Sequence, residues 1–250
     1  ILAVGGIILA LRRRRPGEVT LLASALGFYL GISVLSTYFS RYALSLHPLL
    51  VVLAAGCVSA AACWMKKRWP MPGRVVSPFL VAGILVIPAA RLMRHDYLLT
   101  QTDTRTLALG WIEANVPEGA SIAVDWPVHG PPLSVPGDAE PDSSRVYDVT
   151  LVGGKGLSDH PSQWYRDQGF DYLIASSFIY NIPLVDSQED AERRLFYASL
   201  DKEFVLVQEI RPTENSAEPP FVFDEMYGPL VSLWKRERPG PTIKIYLVQD

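Results

Sequence analysis

Long apolar runs separated by short basic segments make up the first part of the chain. Val19–Phe39 is a run of 21 residues without a charged side chain, Leu46–Trp64 is a second run of 19 residues, and Val75–Ala90 is a shorter third run. A helix of about 20 residues reaches across the hydrocarbon core of a bilayer, roughly 30 Å. The pattern therefore predicts three transmembrane helices. The apolar start, Ile1–Leu11, is interpreted as the end of a truncated span.

After about residue 95 the pattern changes to alternating helical and strand periodicities. A helix is expected after Asp103, followed by a strand over Ser121–Val124 and a Pro- and Gly-rich loop over Trp126–Pro141. The further predicted elements are a strand at Arg145–Val152, a helix at Pro161–Gln168, a strand at Asp171–Ser176, a helix from Ser187 with Ala191, Leu195, Phe196 and Leu200 on its buried face, and closing strands at Phe204–Ile210, Val231–Lys235 and Ile243–Val248. The fold class predicted is an α-helical membrane region, the end of a polytopic bundle (residues 1–94), followed by an extracytoplasmic α/β domain with a mixed sheet (residues 95–250).

The charge distribution divides the chain at the same place. Of 23 basic and 26 acidic residues in all, eleven basic residues and only one acid, Glu18, precede residue 95. Twelve basic and twenty-five acidic residues remain, so the small net charge of −3 combines a basic apolar half with an acidic one. Arg12–Arg15 and Lys66–Arg68 flank alternate ends of the predicted spans, and cytoplasmic loops are enriched in such residues. This predicts a plasma-membrane protein, with a bacterial envelope preferred, whose residues after about 94 lie on the outer face.

Arg41 and Tyr42, in the predicted outer loop between two spans, are the first candidates for function. A cation at membrane depth is costly and often marks a binding site. The competing interpretation is that Arg41 extends to the lipid headgroups while Tyr42 belongs to an interfacial aromatic belt. From the residues alone both interpretations stay open.

Several segments resemble the GT-C class of polytopic glycosyltransferases, which includes protein-mannosyltransferase and lipid A aminoarabinose-transferase relatives. Arg41-Tyr42-Ala43-Leu44 with Pro48 is similar to the family's Arg-Tyr-x-Leu-Pro pattern, although Ser45 stands where Pro is usual. The soluble half carries three further similar segments, which are Asp103–Ile122 with its Trp111-Ile112 and Asn115-Val116-Pro117, Trp164–Ser177, and Gly240–Tyr246.

The resemblance implies a function as well as a fold. It implies transfer of a sugar from a polyprenyl-phosphate donor to an acceptor on the outer face, with substrate binding by Arg41 and Tyr42 and with Arg41 paired to the donor phosphate. The family's catalytic carboxylate lies in its first outer loop, and no residue here matches it. The chain is therefore expected to be the C-terminal part of an enzyme and inactive alone. Membrane lipid and the sugar donor are the expected partners, with no cofactor and no nucleic acid.

Other motifs are weaker. Gly153–Gly156 lacks the residues of a phosphate-binding loop and is interpreted as a turn. His95-Asp96, His129 and Asp159-His160 match no metal-ligand spacing, so no metal site is predicted. Asp224-Glu225 is interpreted as a pair of solvated acids. The main alternative function is a membrane-anchored extracytoplasmic interaction or binding domain without catalytic activity, its acidic surface meeting cationic partners.

Overall fold

A computed structural model describes residues 1–34, 40–68, 73–125, 129–134, 144–182, 187–214, 221–222, 228–229 and 231–249 of the chain. The chain forms two compact units, Ile1–Leu92 and Met93–Asp250. The predicted loop Trp126–Pro141 and the predicted span Val19–Phe39 lie only partly within the described residues, and the pair Asp224-Glu225 lies outside them.

The first unit is helical. It consists of α1 (Leu2–Arg13), α2 (Pro16–Ser33), a 3-10 helix (Ser40–Leu46), α3 (His47–Arg68) and most of α4 (Gly73–Leu99). Arg14 ends α1 in a left-handed conformation with φ 50°, and Pro16 begins α2, where its missing N–H costs nothing.

Two helical stretches are long and apolar enough to cross a membrane. They are Tyr42–Arg68, with a mean hydropathy of 2.0, and Pro78–Asn115, with 1.3. The second stretch continues past the end of α4 at Leu99 into the next helix, Thr104–Asn115. One face of that next helix is buried in the second unit, so the apolar part of the stretch lies in α4. Two predicted spans, Leu46–Trp64 and Val75–Ala90, are therefore helices of suitable length and composition.

Helices α1 and α3 pack closely, and they run in the same direction, since Gly6 lies at Leu53 while Arg13, further along α1, lines a cavity with Cys63 and Lys67, further along α3. A Cβ on Gly6 would collide with the backbone of Leu53, and one on Gly5 would lie 2.7 Å from Cys57 Sγ. Close approach through small residues is typical of helices that associate in membranes, where packing replaces the hydrophobic effect. Because the helices run in the same direction, the basic residues at their carboxyl ends meet at one end of the unit.

The second unit is built on a mixed sheet, as predicted, and the described residues contribute five strands to it. Its strands are β1 (Ser121–Val124), β2 (Asp148–Leu151), β3 (Tyr172–Ser176), β4 (Val205–Ile210) and β5 (Ile243–Leu247), in the order β2-β1-β3-β5-β4. β2, β1 and β3 are parallel, whereas β5 runs antiparallel to both β3 and β4. In the described part of this unit, the α-helices after α4 are α5 (Thr104–Asn115), α6 (Ser162–Asp167), α7 (Ser177–Tyr180) and α8 (Ser187–Glu203).

Helices cover both faces of this sheet. Successive residues of a strand point to opposite faces, and on β3 Leu173 belongs to one buried cluster while Ile174 belongs to the other. Ile112 of α5 packs with Ile174, and Leu200 of α8 packs with Leu173. The aspartate that the sequence places before α5 does cap it, since Asp103 accepts a hydrogen bond from the Arg105 N–H at 2.8 Å.

Two predictions for this unit are wrong. Val231–Lys235 is a turn, closed by the Lys235 N–H donating to Ser232 O at 2.9 Å, and Arg236 Nε donates to Ser232 Oγ at 2.7 Å. The buried face of α8 is also shifted, because Ala191 is exposed and Leu195 is 70% exposed. Leu200 is buried as predicted and Phe196 packs partly buried against the core, but Arg193 and Tyr197 are buried in place of Ala191 and Leu195.

Candidate functional site

The predicted substrate-binding residues lie in the first unit, just before α3. Arg41 and Tyr42 belong to the 3-10 helix Ser40–Leu46, which contacts both α2 and α3. The side chain of Arg41 lies outside the described residues, whereas Tyr42 is partly buried. His47 follows, its Nδ1 3.2 Å from Ala43 O, and begins α3. Arg41 therefore stands at the end of α3 opposite to Lys66–Arg68, about 33 Å away at 1.5 Å per helical residue.

A buried carboxylate, which the sequence analysis missed, lies at the centre of the second unit. Asp125 directly follows β1, and its N–H still donates to Ile174 O on β3 at 2.9 Å. Its side chain is fully buried. The chain reverses its direction of strand addition here, because β2 lies on one side of β1 and β3 on the other. In open α/β sheets this is the position where ligands usually bind, at the carboxyl ends of the strands.

Three donors converge on the Asp125 carboxylate. The Leu157 N–H donates to Oδ1 at 2.7 Å, the Tyr197 hydroxyl donates to Oδ1 at 2.6 Å, and the Ser176 N–H donates to Oδ2 at 2.8 Å. These donors come from a 3-10 helix (Gly156–Asp159), from α8 and from the end of β3. One side chain thus joins three elements that are distant in the sequence.

Burial dominates the electrostatics of this carboxyl group. Removal from water raises the pKa of Asp125 from 3.8 to about 6, although the hydrogen bonds from Tyr197, Ser176 and Leu157 and the charge of Arg193 act in the opposite direction. Burial, followed by the nearby carboxylate, raises the pKa of Tyr197 well above its ordinary value. Tyr197 is therefore a neutral donor at physiological pH.

Arg193, one helical turn before Tyr197, is the cation whose charge acts on Asp125. Its side chain is 3% exposed, Nη1 donates to Ile179 O at 2.6 Å, and Nη2 donates to Asp190 Oδ1 at 2.9 Å. A buried guanidinium is tolerated only when it is paired and hydrogen-bonded. The same carboxylate of Asp190 binds Arg194 at 2.6 Å.

Gly156 lets the backbone approach Asp125 closely. Its φ is +69°, and a Cβ added there would collide with Asp125 Oδ1, with Ile179 and with the Tyr197 hydroxyl. The segment that the sequence analysis interpreted as a turn, Gly153–Gly156, does turn, at Gly154–Lys155. This turn positions the Leu157 N–H so that it donates to the Asp125 carboxylate.

The arrangement around Asp125 stabilises the fold more than it offers chemistry. Each carboxylate oxygen already accepts a hydrogen bond from the protein itself, Oδ1 from Leu157 and Tyr197 and Oδ2 from Ser176. Asp125 and its donors are therefore assigned a positioning role at the switch point of the sheet.

An open cavity lies beside this centre. It has a volume of about 330 Å³ and is lined by Tyr180, Asn181, Arg194 and Phe221. The ring of Tyr180 lies 5.6 Å from that of Tyr197, which connects the cavity wall to the Asp125 centre. Aromatic faces, an amide and an exposed guanidinium in a concave site suit a polar organic ligand.

The other sequence candidates are dispersed. His95 lies 4.0 Å from Asp96, His129 packs edge-on against Phe178, and His160 stacks on Trp164 at 3.9 Å. Burial lowers the pKa of His129. Among the residues that the structure describes, no group of three or more His, Cys, Asp or Glu could hold a metal ion.

One signal in the sequence could have identified the buried centre. An acid placed directly after a short, wholly apolar strand, as Asp125 follows Ser121–Val124, stands at the edge where functional groups collect in parallel sheets. Arg193, Tyr197 and Leu200 also have the spacing of one helix face. The neighbouring face, with Ala191, Leu195 and Phe196, is more apolar and was therefore predicted to be buried.

Comparisons with protein-family models, with curated proteins and with solved structures give no match to this chain.

Proposed function

We propose that this chain forms part of an integral-membrane glycosyltransferase that moves a sugar from a polyprenyl-phosphate donor to an acceptor on the outer face of the membrane. The observation that carries the proposal is the position of Arg41. It lies between two helices of the first unit, α2 and α3, at the end of α3 away from the basic residues Lys66–Arg68. The resemblance of this segment and of the soluble half to GT-C glycosyltransferases supplies the chemistry.

The proposed orientation follows from the basic residues. Since α1 and α3 are parallel, Arg12–Arg15 and Lys66–Arg68 lie at one end of the helical unit, which the positive-inside bias assigns to the cytoplasm. The 3-10 helix with Arg41 then faces outward. In this proposal α4 makes a third crossing, and the acidic residues after about 94 follow on the outer face of the membrane.

In this proposal Arg41 binds the phosphate of the lipid-linked donor. A guanidinium presents two parallel N–H groups that match two phosphate oxygens, and the poorly hydrated membrane interface strengthens the contact. The negative charge that develops on the phosphate as the sugar leaves would be stabilised by the same cation. Tyr42, next to it, contributes to the binding surface. The catalytic carboxylate that the resemblance implies is not assigned to any residue of this chain.

The test is sugar transfer by the full-length protein in native membranes. Arg41→Ala should lower transfer about thirty- to a thousandfold, because loss of a charge-assisted contact in such a site costs about 2–4 kcal/mol. Arg41→Lys should recover part of it, since an ammonium keeps the charge and loses the fork. Arg91→Ala is the matched control, an exposed cation of the helical unit on α4.

Two outcomes would count against the proposal. Unchanged transfer in Arg41→Ala, at matched expression, would leave Arg41 an interfacial anchor. An equal loss in Arg91→Ala would show that general surface charge matters and not a site at Arg41.

A second function is favoured by the cavity at Tyr180, Asn181, Arg194 and Phe221, since a binding domain anchored by the helices would need such a surface and no transferase activity. A full-length protein that shows no transfer with any polyprenyl-phosphate sugar, while Arg194→Ala abolishes binding of a partner to the α/β unit, would favour this function.

A further inference from the structure

A second cavity lies between α1 and α3, at the end of the helices where the basic residues collect. Its volume is about 360 Å³, and its lining residues are Arg13, Ser59, Ala60, Cys63, Trp64 and Lys67. Both helices contribute, and each supplies one cation, Arg13 from α1 and Lys67 from α3. The function proposed above does not use this cavity.

The shape of the cavity follows from how the two helices pack. They are in backbone contact at Gly6 and Leu53, where the glycine leaves no room for a side chain. Arg13 lies about two turns after Gly6, and Lys67 about four turns after Leu53. Both are long side chains with charged ends, which cannot interdigitate as small residues do. The helices therefore close tightly at Gly6 and leave an opening at Arg13 and Lys67.

The charge around the opening is strongly positive. Seven basic residues stand at this end of the helical unit, namely Arg12, Arg13, Arg14, Arg15, Lys66, Lys67 and Arg68. The counter-charge in these segments is Glu18, whose Oε1 lies 3.8 Å from Arg13 Nη1, a long contact that leaves the Arg13 side chain 40% exposed. One carboxylate cannot balance this cluster, so an anion is attracted to it.

An aromatic side chain defines the depth of the site. Trp64 is 62% exposed and lies one turn before Lys67 on α3. Tryptophan concentrates at the level of lipid headgroups, because its ring suits the boundary between hydrocarbon and water. Cations at the rim, an indole below them and small residues at the floor form a site with a charged top and an apolar base.

We infer that the cavity between α1 and α3 binds the phosphate headgroup of an anionic membrane phospholipid, with Arg13 and Lys67 on the phosphate and Trp64 beside the first carbons of the acyl chains. Basic pockets between membrane helices on the cytoplasmic side are suited to such headgroups. The inference rests on the membrane placement in the proposed function, and it is independent of sugar transfer and of Arg41.

The test places the full-length protein in nanodiscs made either of phosphatidylcholine alone or of a mixture with phosphatidylglycerol. Cys63 lines the cavity and is exposed, while Cys57 is partly buried where α3 meets Gly5. Mass spectrometry of the two peptides therefore gives the rate of maleimide alkylation inside the site and at a reference position. Phosphatidylglycerol should slow the reaction of Cys63 relative to Cys57.

Two double variants decide whether the site itself is responsible. Arg13→Gln with Lys67→Gln removes the cations that line the cavity, and should reduce the apparent affinity for phosphatidylglycerol about twenty-fivefold, since each surface cation is worth about fivefold. Arg12→Gln with Lys66→Gln removes the same charge from the same helix ends without touching the lining. This control should retain most of the protection.

The outcomes separate this inference from the proposed function. Equal losses in both double variants, or no effect of phosphatidylglycerol on the wild-type protein, would overturn the lipid site while the protein remains inserted. Equal protection by inorganic phosphate in phosphatidylcholine nanodiscs would identify a free-anion site and also overturn it. Failure of the protein to insert at all would instead contradict the membrane placement.

Discussion

The Tyr197 hydroxyl donates a 2.6 Å hydrogen bond to Asp125 Oδ1, and both side chains lie inside the α/β unit. This contact joins α8 to the end of β1, elements separated by 72 residues. A hydrogen bond to a buried charged group is worth more than one to a neutral group, because nothing else solvates the charge. The pair therefore holds the switch point of the sheet to the helix above it.

Loss of the tyrosine hydroxyl should weaken this connection. Tyr197→Phe is expected to lower the free energy of unfolding of the Met93–Asp250 unit by about 1.5–3 kcal/mol, as the carboxylate loses one of its three donors. Urea unfolding at pH 7 measures the change. Tyr172→Phe, which alters a partly buried tyrosine on β3, is the control. Equal effects of the two substitutions would contradict the assigned role.

The raised pKa of Asp125 predicts an unusual dependence of stability on pH. The folded state binds the proton up to about pH 6, whereas the unfolded chain releases it near 3.8, so the folded state holds more protons between these values. The contribution of Asp125 is fully present below about pH 4 and is lost as the pH rises through 6. The difference of about 2 pH units corresponds to roughly 3 kcal/mol.

The measurement is the difference between the wild-type unit and Asp125→Asn at several pH values from 4 to 7.5. The variant cannot titrate at this position, so its stability should lack this decline with rising pH. The variant should also be less stable than the wild type at pH 4.5. The introduced side-chain amide would point an N–H at one of the backbone N–H groups, Leu157 or Ser176, that donate to Asp125 in the wild type. Parallel pH profiles for the two proteins would show that Asp125 does not titrate in this range.

Gly156 and Gly154 form a matched pair two residues apart. Gly156→Ala should cost about 2–4 kcal/mol, because the backbone is left-handed and the added Cβ meets Asp125 and Tyr197. Gly154→Ala should change stability by no more than about 0.5 kcal/mol, since no atom lies within 4 Å of the added Cβ. Thermal unfolding of both variants checks this, and similar melting temperatures would contradict the geometry.

The α/β unit should fold without the helical unit when it begins at Met93. The end of α4 belongs to its core, since Leu98 is 1% exposed and Arg94 Nη2 donates to Arg236 O at 2.5 Å. Leu98→Ala should destabilise the isolated unit by about 2–4 kcal/mol, whereas Leu99→Ala, 64% exposed, should have little effect. Aggregation of the Met93–Asp250 fragment would show that it depends on the helices.

The proposed orientation predicts which positions a membrane-impermeant thiol reagent reaches in intact cells. In a background with Cys57→Ala and Cys63→Ser, a cysteine at Gly154 should react and one at Lys66 should react only after permeabilisation. Both positions are exposed within their own units, so accessibility to the reagent reports the side of the membrane. If the reagent labels the cysteine at position 66 but not the one at position 154 in intact cells, the topology is the opposite of the one proposed.

Local signals in the sequence were sufficient for most of the helices and strands, although not for the turn at Val231–Lys235 or for α7. The apolar runs predict helices where α3 and α4 lie, and the strands predicted at Ser121–Val124 and Asp171–Ser176 agree with β1 and β3 to within one residue. The start of α5 after Asp103 is also a local feature, because this residue caps the helix through a contact with Arg105, two residues away. Such features depend on a few adjacent residues, and so they can be derived from composition and spacing alone.

Only the tertiary structure decided the partners of these elements. The order β2-β1-β3-β5-β4, the turn at Val231–Lys235 and the buried face of α8 all depend on residues far apart in the chain. By hydrophobicity Leu195 should be buried and Arg193 exposed, yet Arg193 is buried where its guanidinium donates to Ile179 O, and Tyr197 on the same face donates to Asp125. A polar group inside a protein must be satisfied by whatever the fold brings to it, and no local pattern records which residue that will be.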